Sequence, residues 1–204
     1  MGSWLVLAVF REYLLQRSGH SYDRNNLGRT QAHAMKTPEK DPQSVTPDGE
    51  RVAPLIEGVR IRRAVTQPDD RGTVCELFDP AWGIHPDPLV YVYQVTIRPG
   101  QVKGWVVHRL QDDRIFLSHG TMRAVLFDDR EGSPTHGLVN ELFLDHHNRG
   151  LLIIPKGVYH AIQNVGSEDL LFINMPTRAY NHANPDKYRL PLNNDLIPYR
   201  FPSS

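Results

Sequence analysis

The sequence predicts an all-β fold, a jelly roll of short antiparallel strands, and three observations carry that prediction. From Val52 onward, apolar runs recur at roughly 8–12-residue intervals, the spacing of strands joined by tight turns. Breakers separate the runs: Arg98-Pro99-Gly100, the stretch from Asp128 to Pro134, and Val165-Gly166-Ser167. Two spaced stretches then bring histidines into strand frames. Gly100 to Gly120 reads G-x5-V-x-H-x4-D-x6-G, and Pro155 to Asn164 reads P-x-G-x2-H-x3-N.

Taken in order, the elements divide the chain at about residue 51. Trp4 to Gln16 has the pattern of a short amphipathic helix. Its apolar run Trp4–Phe10 is far too short to span a bilayer, no basic segment precedes it, and Arg11-Glu12 interrupt it, so neither a membrane span nor a signal peptide is expected. Arg17 to about Arg51 is polar and almost without large apolar side chains, which leaves too little surface to bury against the entropy of ordering. Residues 1–50 are therefore expected to be a disordered leader and residues 51–204 the folded domain. Strands are expected over Val74–Phe78, Leu89–Arg98, Trp105–Val107, Ile115–Leu117, Met122–Phe127, Leu138–Leu144, Leu151–Ile154, Ala161–Val165 and Leu170–Met175. Leu89–Arg98 is apolar on both faces, which predicts a central or interface strand. The Pro-rich tail, Pro176 to Pro202, is expected to carry short helical or coil elements.

Composition excludes several function classes. With 204 residues the chain can bury a real core, and its formal net charge of zero points to neither nucleic acid nor an anionic membrane. Cys75 is the only cysteine, so no intrachain disulfide forms and nothing argues for secretion; a buried, inert thiol and a cytoplasmic protein are expected.

Strand geometry says what the two histidine stretches do. Alternate residues share a face, so Val106 and His108 point one way and Trp105 and Val107 the other. Pro155-Lys156-Gly157 is a turn that ends the strand Leu151–Ile154 and brings His160 in on the next one. The two stretches resemble the paired motifs of the cupins, G-x5-H-x-H-x3,4-E-x6-G and G-x5-P-x-G-x2-H-x3-N. Val106 replaces one histidine, Asp113 replaces the glutamate, and Gly150 lies one residue closer to Pro155. The resemblance implies a cupin-type jelly-roll β-barrel. His108, Asp113 and His160 fall at its ligand positions, so a divalent metal held by two histidines and one aspartate is one reading of the site; a metal-free histidine base is another.

Longer matches narrow the family. Asp69-Asp70-Arg71-Gly72-Thr73-Val74-Cys75-Glu76-Leu77-Phe78 resembles the D-x-R-G-x-x-x-E-x-F opening of the dTDP-4-dehydrorhamnose 3,5-epimerases. Asp128 to Gly137 is similar to their D-x-R-x-x-S-P-T-x-G turn, Ile154 to His160 to their I-P-x-G-x-x-H, and Tyr180-Asn181 through Pro198 to their Y-N-P…D-P-x-I ending. The resemblance covers residues 56–201. It implies a nucleotide-sugar ligand, carbohydrate biosynthesis, a homodimer, no cofactor, and epimerisation beside a C4 carbonyl by a histidine base and a tyrosine acid, with a lysine supporting the enolate.

The departures fall on those roles. The family's base position aligns with Val106, its lysine with Asp113, its acid tyrosine with Asn174 and its base-orienting aspartate with Asn194. His108, on the face of Val106, is the expected displaced base, with Asp113 to orient or charge-couple it. Arg114 restores a positive charge if the strand slips by one residue. The expected catalytic set is His108, Asp113, His160 and Tyr180. The expected substrate-binding set is Arg71, which matches the family's diphosphate contact, with Glu76, Lys103, Gln111, Arg114 and Asn174. A metal-dependent cupin on His108, Asp113 and His160, and a non-catalytic sugar-binding cupin, stand as alternatives.

Overall fold

The structure, a computed structural model, describes residues 39–49 and 51–202. Most of the expected leader, including the segment 4–16, lies outside the described residues. The compact unit that carries the strands starts at Ser44.

Among the described residues twelve strands form the fold: β1 Arg60–Arg63, β2 Thr66–Asp69, β3 Gly72–Cys75, β4 Tyr93–Ile97, β5 Val102–Val107, β6 Asp113–His119, β7 Met122–Asp128, β8 Val139–Leu144, β9 Gly150–Ile154, β10 Val158–Asn164, β11 Leu170–Asn174 and β12 Tyr188–Arg189. They make two antiparallel five-stranded sheets, β1-β9-β6-β11-β4 and β12-β5-β10-β7-β8, and a small hairpin, β2-β3. The all-β jelly roll holds. The sheets face each other without closing into one hydrogen-bonded barrel, because β4 and β5, consecutive in the chain, are edge and near-edge strands of different sheets.

The main core lies between the sheets. Ile115, Leu117, Leu152 and Phe172 from one sheet meet Ala124, Leu126, Leu142 and Ile162 from the other. Strand alternation sends the intervening residues outward, and both outer faces are also covered. Phe116, Leu151 and Ile153 pack beneath Leu77, Phe78 and Trp82, while Trp105, Val125 and Phe127 pack beneath Leu192, Ile197, Tyr199 and Phe201. This double covering explains why β6, β7, β9 and β10 read as near-continuous apolar runs.

The tail is coil plus the two-residue β12 among the described residues, one of the two forms expected of it, its prolines lacking the donors a helix needs. Three expectations need correction. Leu89–Arg98 is not a central strand: only Tyr93–Ile97 is extended, at the β4 edge, and Leu89, Val90 and Val92 are exposed. Cys75 is half-buried at the rim of an outer cluster because β2-β3 is a separate hairpin with little cover. Arg114, the residue expected to restore charge by a strand slip, keeps its register. It pairs with Ile153 and points to the outer face. No helix among the described residues is long and apolar enough to cross a membrane.

Two glycines fix the site. At the β9–β10 turn Gly157 takes φ 82°, and its N–H donates to the His108 carbonyl at 2.7 Å, tying the two histidine strands together. In β5, a Cβ on Gly104 would lie 2.2 Å from the Ala161 Cβ, so only glycine lets β5 approach the bulge in β10.

Candidate active site

A cavity of about 320 Å³ opens between the sheets, with Tyr93, Val95, Asp113, Ile115, Phe172 and Asn174 on one wall. The facing wall comes from β5, β10 and β12 and carries Lys103, Val106, His108, His160, Lys187 and Arg189. Val106 and His108 share the cavity face, as alternation requires, while Trp105 lies in the outer cluster.

His108, Asp113 and His160 converge at the base of this cavity, all buried. Asp113 Oδ2 lies 3.4 Å from Nε2 of His108 and 3.4 Å from Nε2 of His160. Its other oxygen accepts from Gln111 Nε2 at 3.2 Å. Nδ1 of His108 donates to the carbonyl of Asp186, which fixes the ring's tautomer when neutral and leaves Nε2 to act. The Asp186 carboxylate in turn accepts from the backbone N–H of Arg109 at 2.9 Å and of Leu110 at 2.7 Å. The tail thus holds the loop that carries His108.

The two histidines differ electrostatically. Burial lowers the basicity of both. At His108 the Asp113 hydrogen bond and charge, with the Asp186 carbonyl, outweigh burial and raise the pKa above the ordinary imidazole value. At His160 burial prevails and holds the pKa at about 4. Burial pushes the Asp113 carboxyl up, but the hydrogen bond from His108 and the two imidazoles outweigh it and hold it at about 2. Asp113 is therefore ionised, His160 neutral, and His108 the one imidazole with its basicity enhanced.

Across the cavity stands Tyr93. Asn174 Nδ2 donates to the Tyr93 hydroxyl at 2.8 Å, and the two residues are direct partners across β11 and β4. The phenol accepts that bond, so its own proton is available to the cavity. Burial and the Asp113 charge raise its pKa to about 12, which keeps it protonated. The cavity thus has a tyrosine one strand over from Asn174, held by that asparagine.

The structure thus brings together six of the residues expected from sequence: His108, Asp113, His160, Asn174, Lys103 and, through its bond to Asp113, Gln111. Four lie elsewhere. Tyr180 is exposed and lines a neighbouring depression of about 560 Å³ with Arg178, Asn181 and Asp186. Arg71 and Glu76 are exposed on and just after the β2–β3 hairpin, with Arg71 paired to Asp69 at 2.6 Å. Arg114 is fully buried on the far face of β6 and donates to the carbonyls of Met175, Asp87, Pro88 and Pro176, so it is a structural anchor. Sequence reasoning missed Lys187, Arg189, Asp186 and the role of Tyr93. Only Tyr93 carried a signal, its place on an alternating apolar strand. One ligand atom each of His108, Asp113 and His160 lies within 4.8 Å of the other two, a spacing that also suits a divalent cation.

A histidine, a carboxylate and a protonated phenol line one cavity of this jelly roll, and its relatives make the chain a sugar epimerase-like protein. The family model for dTDP-4-dehydrorhamnose 3,5-epimerase matches residues 54–194, and the chain belongs to that family. It is 34% identical over 140 residues to the probable low-salt glycan biosynthesis epimerase Agl13 of Haloferax volcanii, covering 68% of this chain and 89% of that one. It is 32% identical over 150 residues to the spore coat polysaccharide biosynthesis protein SpsL of Bacillus subtilis, covering 72% and 97%. Among solved structures, the dTDP sugar isomerase of Desulfovibrio desulfuricans superimposes with a TM-score of 0.67 at 25% identity, over 72% of this chain and 94% of that chain.

Proposed function

We propose that this protein epimerises a 4-keto sugar carried on dTDP, at a carbon next to the carbonyl, with His108 as base and Tyr93 as acid. The observation that carries the reading is the division of the cavity. His108 stands on one wall, with Asp113 reaching it from the other sheet, and a phenol protonated up to about pH 12 stands on the sheet opposite His108. Inversion at carbon needs a proton taken from one face and returned on the other, so groups on facing walls suit it. The carbonyl acidifies the neighbouring C–H. Nε2 of His108 takes the proton, the electron pair moves onto the carbonyl oxygen, and the Tyr93 hydroxyl protonates the carbon from the far side. His108 then loses its proton to solvent and Tyr93 regains one.

Asp113 sets the strength of the base. An ionised carboxylate beside Nε2 raises the affinity of His108 for a proton, where burial alone would lower it. His160, neutral, donates its Nδ1–H to the Val158 carbonyl at 3.3 Å, which orients the ring with Nε2 3.4 Å from Asp113. The dTDP moiety is inferred from the family and from the name of the Desulfovibrio desulfuricans structure.

The test is incubation with a dTDP-4-keto-6-deoxyhexose in D2O. The reading expects deuterium at a carbon flanking the carbonyl, together with an epimeric product. No label after many catalyst equivalents would contradict it. A second reading, a divalent cation on His108, Asp113 and His160, is favoured by the convergence of their donor atoms within 4.8 Å. Near-stoichiometric metal after purification without a metal-affinity step, with label uptake lost on chelation, would replace the first reading with the second.

A further inference from the structure

We infer that Lys187 is the cation that stabilises the oxyanion formed on deprotonation, an assignment that rests on the epimerase reading above. Asp113, an ionised carboxylate, lines the cavity beside His108, so that part of the cavity cannot hold a developing negative charge. A cation must come from another element, and β12 brings one. β12 runs antiparallel to β5 with Arg189 opposite Val106 and Tyr188 opposite Val107. Continuing that register puts Lys187 opposite His108, and alternation gives Lys187 and Arg189 the same face, which is the cavity face.

The charge balance of the cavity points the same way. Asp113 is already engaged with His108, His160 and Gln111. Lys103, Lys187 and Arg189 line the same cavity, and among the described residues none of the three has a carboxylate within 4.0 Å. A surplus of cations without partners is costly to the protein alone and suits a ligand that brings or develops negative charge. Of the three, Lys187 is nearest in register to the proton-abstracting pair. Burial, then the neighbouring Arg189 and Lys103, outweigh the attraction of the Asp113 charge and lower its affinity for its proton, which makes its ammonium a stronger hydrogen-bond donor. In the step itself, the C–H pair moves into the carbon–carbon bond as the carbonyl π pair moves onto oxygen. The Lys187 ammonium donates a hydrogen bond to that oxygen and keeps its proton, and reprotonation of carbon restores the carbonyl.

The test compares the wild-type protein with Lys187→Met in two assays: deuterium uptake by a dTDP-4-keto-6-deoxyhexose, and the Kd for dTDP by calorimetry. The expected result is uptake slowed about 10²–10³-fold, the usual loss when one oxyanion donor is removed. The Kd for dTDP should stay within about threefold and the melting temperature should be unchanged. Lys187→Cys in a Cys75→Ser background, alkylated with bromoethylamine to rebuild an ammonium, should recover at least about tenfold of the loss. Uptake within about threefold of wild type in Lys187→Met overturns this inference and leaves the epimerase reading intact. Loss of dTDP binding in step with uptake also overturns it, since Lys187 is then a phosphate contact. Absence of uptake in the wild-type protein overturns both.

Discussion

At the scale of single residues, the site turns on how one carboxylate makes two neighbouring imidazoles unlike. Asp113 hydrogen-bonds and charge-couples to His108, whose pKa rises. His160, under the heavier burial, falls to about 4. A base must be unprotonated to act, so label uptake should climb as pH rises through a pKa above the ordinary imidazole value. Asp113→Asn should move that limb to lower pH and slow uptake at neutral pH about 10²-fold, the scale of a lost general-base contribution. A limb that stays put in Asp113→Asn would exclude His108 as the base. The motif frame made His108, Asp113 and His160 legible in the sequence, because residue spacing along two strands fixes which side chains share a face. Arg114, one residue from Asp113, shows the limit of such reasoning. Proximity in sequence put it near the site, but alternation turns it outward onto four carbonyls.

At the scale of elements, the turn after β7 is the best-determined piece. Asp128, fully buried, accepts from Ser133 Oγ at 2.6 Å, Thr135 Oγ1 at 2.6 Å and Arg130 Nε at 2.7 Å. Burial pushes its carboxyl up, but these donors hold it well below the usual carboxylate range. Asp128→Asn leaves the buried donors and the guanidinium short of acceptors, and should cost about 2–4 kcal/mol in urea unfolding without changing dTDP affinity per folded molecule. A cost below about 0.5 kcal/mol would mean the turn is held by its backbone alone. The S-P-T-x-G signature announced this turn because its residues bond locally. β12 announced nothing: Tyr188-Arg189 has no period to read, and its pairing with β5 is a tertiary event. For the same reason Lys187, Arg189 and the Asp186 carbonyl were invisible in a tail that reads as Pro-rich coil.

At the scale of the whole molecule, the cavity couples stability to pH. His160 binds a proton near 6.5 when unfolded but only at about 4 when folded, so between those values the unfolded state holds more protons and stability falls as pH falls. His108 has the opposite sign: its contribution is full below the ordinary imidazole value and is lost as pH rises through its raised one. Replacing His160 with Gln should flatten the acid limb of the melting-temperature curve between pH 6.5 and 4, an effect of up to about 3 kcal/mol. An unchanged limb would show that His160 titrates normally. Assembly belongs to this scale as well. We propose that two copies of the chain pair at the β4 edge, beside which Leu89, Val90 and Val92 lie exposed. Val90→Lys should shift sedimentation from dimer to monomer if that edge is the interface, and leave it unchanged if it is not.

The central claim is that protons leave and return on opposite walls, and the most direct measurement is the stereochemical course of exchange in Tyr93→Phe. This variant keeps the ring and its packing and removes only the hydroxyl that Asn174 holds. With a dTDP-4-keto-6-deoxyhexose in D2O, followed by NMR, the account predicts that deuterium still enters beside the carbonyl with retention, delivered from the His108 side. Epimer formation should fall about 10²–10⁴-fold. Epimer formed at the wild-type rate by Tyr93→Phe would contradict the account.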